Sequence, residues 1–432
     1  NYGCVPSKAL IAAANLAHKA RNGADLGLDT TGVSIDWPRV KAHVKGAIAA
    51  IAPNDSQERF EGLGVTVIRE RARFADARTV VSDTTSVRAR RFVIATGSRP
   101  VLPPISGLEQ VGALTNETIF DLDALPVHLL ILGAGAIGIE LGQAFRRLGS
   151  QVTIVEAATA LASADREAAE LVLARLRAEG VEILEGWSVT QATRSPDDAR
   201  LTLTHRDGAR RTLEGSHLLV AAGRQPALEG LNLEAAGIAH DKRGVMTSPT
   251  LRSVTNPRVW ALGDAAGRGL FTHLAGWHAS VFVRNVLFKA RTRADALAVP
   301  SVVFTDPELA QIGLTEAQAR EQFGAQARVA RWGFHDNDRA HTAADTEGFC
   351  KLVLSEGGRI LGATLVGADA GELLAPIALA VSAKLGVRAL TAPMLPYPTR
   401  GEIVKRAASA HFTPTLFSKA TRRLVGALQR IG

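Results

Sequence analysis

Cys4 stands in the run Asn1-Tyr2-Gly3-Cys4-Val5-Pro6-Ser7-Lys8, ahead of a segment whose Leu10, Ile11, Ala14 and Ala17 fall on one side of a helix. Pro6 suits a first-turn position, so the spacing predicts a helix over residues 5–20. A thiol just before a helix N-terminus, with Lys8 one turn on, lies where the helix dipole and the ammonium both favour the thiolate. A sulfur so held can interact with an electron-poor ring. Without those neighbours Cys4 would read as a small buried hydrophobe.

A second chemical signature follows the apolar run Leu129-Leu130-Ile131-Leu132: Gly133-Ala134-Gly135-Ala136-Ile137-Gly138, a GxGxxG turn between a strand and a helix. The first glycine makes the tight turn, the second lets the backbone approach a pyrophosphate, and the third lets helix and strand pack closely. The helix N-terminus turns its positive end to the phosphates. Glu156 ends the next strand, 23 residues after Gly133, where an acid can bind a ribose 2′-hydroxyl. A carboxylate there repels a 2′-phosphate, so NADH is expected over NADPH.

These signatures need rigid elements behind them. At 432 residues the chain is too long for one core, and a length prior suggests about three domains. A hydrophobic content of 46% and a charged content of 21% are those of an ordinary globular protein. Only two cysteines occur, Cys4 and Cys350, so no disulfide framework holds the fold, and that usage fits the reducing cytoplasm. Cys350, in Gly348-Phe349-Cys350-Lys351-Leu352, alternates like a strand and reads as structural. There is no signal-peptide pattern and no apolar run long enough to span a bilayer. The net charge of +8 is spread along the chain, which argues against a nucleic-acid binder. The basic tail with Arg422, Arg423 and Arg430 reads as a solvated helix face.

Along the chain, residues 37–61 predict a helical stretch, followed by β-rich runs at 65–68, 80–81 and 92–95, the last entering Thr96-Gly97-Ser98-Arg99-Pro100. From His128, strands and helices alternate (strands 151–155, 181–184, 201–204 and 218–221; helix 166–179), which argues for parallel α/β architecture. Residues 301–432 carry β runs at 301–304, 327–331, 350–354 and 360–366, with helices at 370–385 and 402–408. That is an α+β unit without a nucleotide signature of its own.

The cysteine turn resembles the second half of the CxNxGCxPSK motif of the class I pyridine nucleotide-disulfide oxidoreductases, a family that includes dihydrolipoamide dehydrogenase, glutathione reductase and mercuric reductase. Further motifs resemble the family's in order over essentially the whole chain. Thr96-Gly97 is similar to its ATG turn, Ala72 sits where its backbone meets the FAD adenine, and Val220-Ala221-Ala222-Gly223-Arg224 is similar to the turn closing its NAD unit. Val259-Trp260-Ala261-Leu262-Gly263-Asp264 resembles its second FAD motif, whose Asp binds the ribityl chain, with Thr272 and Ala275 following along the isoalloxazine. Glu140 matches the acid that pairs with the motif lysine near flavin N5, so the resemblance implies a Lys8–Glu140 ion pair. It also implies NAD contacts from Ile137 and Val303 beside the glycine turn.

The architecture implied is two Rossmann-like nucleotide-binding domains plus a C-terminal α+β dimerisation domain. FAD would be bound by residues 1–125 and 241–300 and NAD by 126–240, with the homodimer contact in 301–432. The chain opens on Asn1 rather than Met, so the motif's first cysteine and the first FAD-binding βαβ, roughly 30–40 residues, are expected upstream.

Two departures from the family pattern bear on the electron acceptor. Reductases of small disulfides carry HPTxxE near the C-terminus, and here Tyr397-Pro398-Thr399-Arg400-Gly401-Glu402 puts a tyrosine in place of the acid/base histidine. A phenol titrates near 10 and is a poor base at neutral pH. Mercuric reductases resemble this chain in having Tyr there, but they also carry a C-terminal cysteine pair that this tail lacks. His335, Asp336, Asp338 and His341 form a polar cluster that reads as a surface loop, since their spacing matches no metal-ligand motif. Ala136 replaces the gating tyrosine of some family members, which leaves the nicotinamide pocket open.

The leading expectation is therefore an FAD-dependent NADH oxidoreductase that passes electrons to a redox-active cysteine pair and a disulfide, thiol-reactive or metal-ion acceptor, similar to mercuric reductase. Dihydrolipoamide dehydrogenase, a cysteine-independent quinone reductase or transhydrogenase, and a non-catalytic fragment are the alternatives.

Overall fold

The computed structural model describes residues 2–29, 32–195 and 198–431. Its centre is a four-stranded parallel sheet in the order His217–Val220, His128–Leu132, Gln151–Glu156, Glu182–Glu185. Leu129, Leu130 and Ile131 are fully buried, as a parallel strand covered on both faces requires. The helices Ala136–Leu148 and Arg166–Ala178 connect its strands. A three-stranded antiparallel meander, Trp187–Arg194, Ala199–His205 and Arg210–Gly215, intervenes before the sheet's last strand.

The long helix Cys4–Arg21 packs on Ala136–Leu148, burying Leu10, Ile11 and Ala14 in one core with Leu141, Ala144 and Phe145. It begins one residue earlier than expected and places Cys4 as its first residue. Near it the strands Phe92–Ile94 and Val259–Ala261 pair in parallel, so residues far apart in sequence share one small sheet. A ribbon of Ser98–Pro100 against Arg224–Pro226 ties this region to the parallel sheet. The C-terminal unit is a five-stranded antiparallel sheet in the order Ser301–Val303, Glu308–Gly313, Ile360–Gly367, Phe349–Leu354, Arg328–Gly333. Val303, Leu309, Phe349 and Val366 reach into the core beneath the cysteine helix, so the sheet also buttresses the site.

Several expectations are corrected. Residues 65–68 form no strand, and no neighbouring strand pairs with them among the described residues. The stretch 37–61 is two helices, Trp37–Ile51 and Gln57–Gly62, because Pro53 enters a 3-10 turn and Ser56 restarts the helix as a cap, accepting from the Arg59 N–H at 3.2 Å. The stretch 370–385 is also broken, into Ala370–Leu373 and Ala375–Ser382, with Pro376 in the first turn of the second helix. The Cys350 strand does not alternate: all six residues of Phe349–Leu354 are buried. Lys351 lies inside it, paired with Asp165 at 3.1 Å, Glu167 at 2.7 Å and Glu316 at 3.2 Å. The basic tail forms the helix Lys419–Leu428 with Leu424, Val425 and Leu428 exposed, so its solvent-facing surface is apolar as well as charged.

Candidate active site

At the glycine turn, Gly133 holds φ +106°, and a Cβ there would lie 2.5 Å from the Ala221 carbonyl oxygen. A Cβ on Gly138 would fall 2.0 Å from the Gly133 oxygen, so strand and helix meet only because both positions are bare. Gly135 faces open space, with no atom within 4 Å of the point a Cβ would occupy. Beside it lies a cleft of about 590 Å³ lined by Ala134, Gly135, Ala136, Glu156, Phe271 and Val303. Glu156 is held in that lining: Oε2 accepts from the Ala134 N–H and Oε1 from the Ala158 N–H, both at 2.9 Å. Gly223, with φ +119°, accepts the Val101 N–H at 3.0 Å and ends the turn after the sheet's last strand. Ile137 follows Ala136 in the first turn of the helix, outside the cleft lining.

Cys4 is exposed, and its Sγ lies 3.5 Å from Thr272 Oγ1, the first residue of the helix Thr272–Leu287. Two helix N-termini thus converge on the sulfur, from elements 268 positions apart. One turn along the cysteine helix, Lys8 Nζ donates to Glu140 Oε2 at 2.6 Å, the pair that the motifs implied. Glu140 is 6% exposed, and its second oxygen accepts the Phe304 N–H at 3.0 Å, while Lys8 Nζ lies 4.3 Å from the centre of the Phe304 ring. A single carboxylate therefore locks the cysteine helix, the glycine-turn helix and the opening of the C-terminal sheet together.

Further along the same helix, Gln143 exchanges two 2.8 Å hydrogen bonds with the Asp306 backbone. Arg147, whose side chain is 1% exposed, reaches Glu179 at 2.5 Å, Asp306 at 2.9 Å and Asn15 of the cysteine helix at 2.6 Å. Polar residues at positions i, i+3 and i+7 of an otherwise apolar helix were a readable signal for this stripe, and sequence reasoning found only its first member.

Asp264 follows the second small-sheet strand, and its Oδ2 accepts from Ser98 Oγ at 2.6 Å. Arg224 holds Ser98 in turn, donating from Nε to Oγ at 2.9 Å and from Nη2 to the carbonyl at 2.7 Å. The adjacent Gly263 N–H donates to Nδ1 of His278, which is 1% exposed. Burial pushes His278 down to about 4, so it stays a neutral acceptor. Thr96-Gly97 closes the neighbouring strand, and Ala275 packs against the Gly263 turn, 3.0 Å from a Cβ at Gly263. Ser98, Arg224, His278 and Phe304 were not singled out by sequence, because each acts through a partner distant in the chain.

These surroundings fit the flavin half of FAD. Gly97 and Gly276 both face open space, an acid and two helix N-termini converge there, and an exposed thiol and an ammonium border it. Ala72, the expected adenine contact, is exposed just before the strand Arg73–Asp76. No second glycine-rich strand–turn–helix for the FAD diphosphate occurs among the described residues.

Tyr397 and Glu402 are not brought to Cys4 within one chain. Tyr397 is 71% exposed and donates to Asp338 Oδ2 at 2.8 Å, and that bond to a carboxylate raises the phenol above its ordinary pKa. Glu402 Oε2 accepts the Thr399 N–H at 3.3 Å. Of the polar cluster beside them, His341 contacts the His335 carbonyl at 2.7 Å.

Residues 1–281 match the family model described as pyridine nucleotide-disulphide oxidoreductase, and residues 299–408 match that family's dimerisation domain. The chain belongs to the class I pyridine nucleotide-disulfide oxidoreductases, enzymes that use FAD and NAD(P)H. It is 34% identical to a mercuric reductase of Streptomyces lividans and 32% identical to a dihydrolipoyl dehydrogenase of Geobacillus stearothermophilus, each over 94% of this chain and 87% of the relative. Among solved structures it is similar to the Cu(II) complex of the HOCl-induced flavoprotein disulfide reductase RclA from Escherichia coli. The TM-score is 0.82 at 27% identity, over 94% of this chain and 89% of that one. No helix among the described residues is long and apolar enough to cross a membrane.

Proposed function

We propose that this oxidoreductase works as a homodimer, prefers NADH, and delivers electrons through Cys4 and its motif partner cysteine to a disulfide, thiol-reactive or metal-ion acceptor, in the manner of mercuric reductase. The observation that carries this reading is the exposed Cys4 at two converging helix N-termini, one turn from the Lys8–Glu140 pair. FAD would supply the two-electron relay between the nicotinamide and a disulfide. Residues 1–125 and 241–300 hold it, with Asp264 for the ribityl chain, Thr96, Gly97, Thr272 and Ala275 along the ring, and Ala72 at the adenine. Residues 126–240 hold the nicotinamide nucleotide through Gly133, Gly135, Ile137, Gly138, Glu156 and Gly223, with Val303 closing the cleft.

Lys8 would turn its ammonium toward the ring, its direction held by Glu140. Residues 301–432 form the dimer contact and offer Tyr397 and Glu402 to the partner's Cys4. Tyr397, with its pKa raised, donates a hydrogen bond rather than accepting a proton, which favours a metal or thiol-reactive acceptor over lipoamide. Two cysteines without a disulfide framework support work in the cytoplasm. A quinone reductase is the second reading, favoured by the small Ala136 at the mouth of the cleft.

Steady-state kinetics with Hg(II), oxidised lipoamide and a benzoquinone test both. The proposal expects turnover with Hg(II) above lipoamide, lost in Cys4→Ser. Quinone turnover that survives Cys4→Ser while Hg(II) gives none selects the second reading. NADH should exceed NADPH in kcat/KM by roughly tenfold or more, and Glu156→Gln should narrow that ratio, since a like-charge contact is removed. An unchanged ratio would show that Glu156 does not read the 2′ position.

A further inference from the structure

The strands Phe92–Ile94 and Val259–Ala261 run parallel, and both leave at their carboxyl ends into the turns assigned to the flavin. In open α/β sheets, cofactors bind at those carboxyl ends. At the opposite, amino ends lies a second cavity of about 750 Å³. Six cations line it: Arg90, Arg91, Arg252, Arg258, Lys289 and Arg291. Among the described residues, its lining contains no carboxylate. Like charges gathered without counter-charge repel one another. Arg293, just beyond the cavity, instead holds Asp295 at 2.8 Å.

The cavity is built rather than incidental. Asn285, near the end of the helix Thr272–Leu287, clamps the following loop with both ends of its amide: Nδ2 donates to the Thr292 carbonyl at 2.8 Å and Oδ1 accepts the Thr292 N–H at 2.6 Å. Inside that clamp Lys289 and Arg291 hold φ +57° and +56°, a left-handed conformation that costs a non-glycine residue free energy. Arg252 lies over the Trp260 ring at 5.5 Å and donates to the Pro257 carbonyl at 2.6 Å, which fixes its guanidinium at the wall. Arg258 braces the Arg90 carbonyl at 3.4 Å. Lys289 Nζ caps the Val286 carbonyl at 2.9 Å, offsetting the negative end of the helix.

We propose that this cavity is a binding site for a small ligand carrying two or more phosphate groups, separate from the FAD and nicotinamide sites. Guanidinium groups in a fixed frame match phosphate oxygens in pairs, and a volume of this size suits a nucleotide-scale ligand. The phosphates would come either from a free phosphorylated metabolite or from the headgroup of a phosphoinositide lipid.

The test is calorimetric titration of the FAD-loaded full-length protein with inorganic triphosphate, and separately with phosphatidylcholine vesicles containing a phosphoinositide, at constant ionic strength. Sulfate serves as the control anion. The comparison variant is Arg91→Gln with Arg291→Gln, two exposed side chains outside the flavin and nicotinamide sites. The proposal expects one saturable triphosphate site per chain, weakened about tenfold or more in the variant, as loss of two charge-assisted contacts requires. Melting temperature and NADH oxidation by ferricyanide should not change. Vesicle binding with the same variant sensitivity assigns the lipid source, and triphosphate binding alone assigns the free one. Absence of saturable binding to both probes, equal affinity for sulfate, or equal affinity in the variant would overturn the proposal.

Discussion

Cys4 opens a helix, is exposed, and faces a second helix N-terminus; Cys350 lies within a strand at 0% exposure, where burial pushes its thiol up to about 12. The ammonium near Cys4 is turned toward the site by one carboxylate, whereas Lys351, next to Cys350, is held by three carboxylates and serves packing. The same two residue types, Cys with Lys, thus do different work according to where the element leaves them. An element terminus leaves a side chain unspent; an interior strand between covered faces uses it up.

The largest way to break this comparison is at the sulfur itself. Cys4→Ser should lower reduction of a thiol-reactive or metal acceptor by roughly 10³-fold or more, with little change in melting temperature. A rate loss matched by unfolding would make Cys4 a structural residue instead. Next, Lys351→Met should destabilise the fold by about 3 kcal/mol, because Asp165 stays buried without its cation. Chemical denaturation measures this, and an unchanged midpoint would show that the cluster is incidental. Cys350→Ala should cost only about 1–2 kcal/mol from a small cavity and leave every rate alone. Altered turnover in that variant would blur the distinction between the two thiols.

The smallest expected effect concerns pH. His278 is neutral when folded, with its pKa lowered to about 4 from 6.5. The unfolded state therefore binds more protons between those values, and stability from this group is present above pH 6.5 and lost as pH falls toward 4. His278→Gln should flatten that part of the stability profile. A profile identical to that of the unmodified protein would show that folding does not lower the His278 pKa.

What could be read from sequence was what is local. The glycine turn, Glu156 and the Cys4 helix start are each fixed by a few neighbouring residues, and the structure forms all three. Lys8–Glu140 spans 132 positions and was reached only through the family resemblance. The Ser98–Asp264 bond, the His278 support of Gly263, and the Arg147 cluster depend on which surfaces pack together, which periodicity does not encode. Residues 65–68 show the converse failure: β-rich composition does not make a strand where no neighbour pairs with it. The alternation expected around Cys350 failed for a related reason, because it assumes one open face and the strand Phe349–Leu354 is buried on both.

The most direct test of Cys4's role is an anaerobic titration of the FAD-loaded protein with NADH, followed by visible absorption. A thiolate beside the flavin predicts a long-wavelength charge-transfer band after two-electron reduction, present in the unmodified protein and absent in Cys4→Ser. Bleaching of the flavin without that band in the unmodified protein would contradict the account and leave Cys4 a bystander.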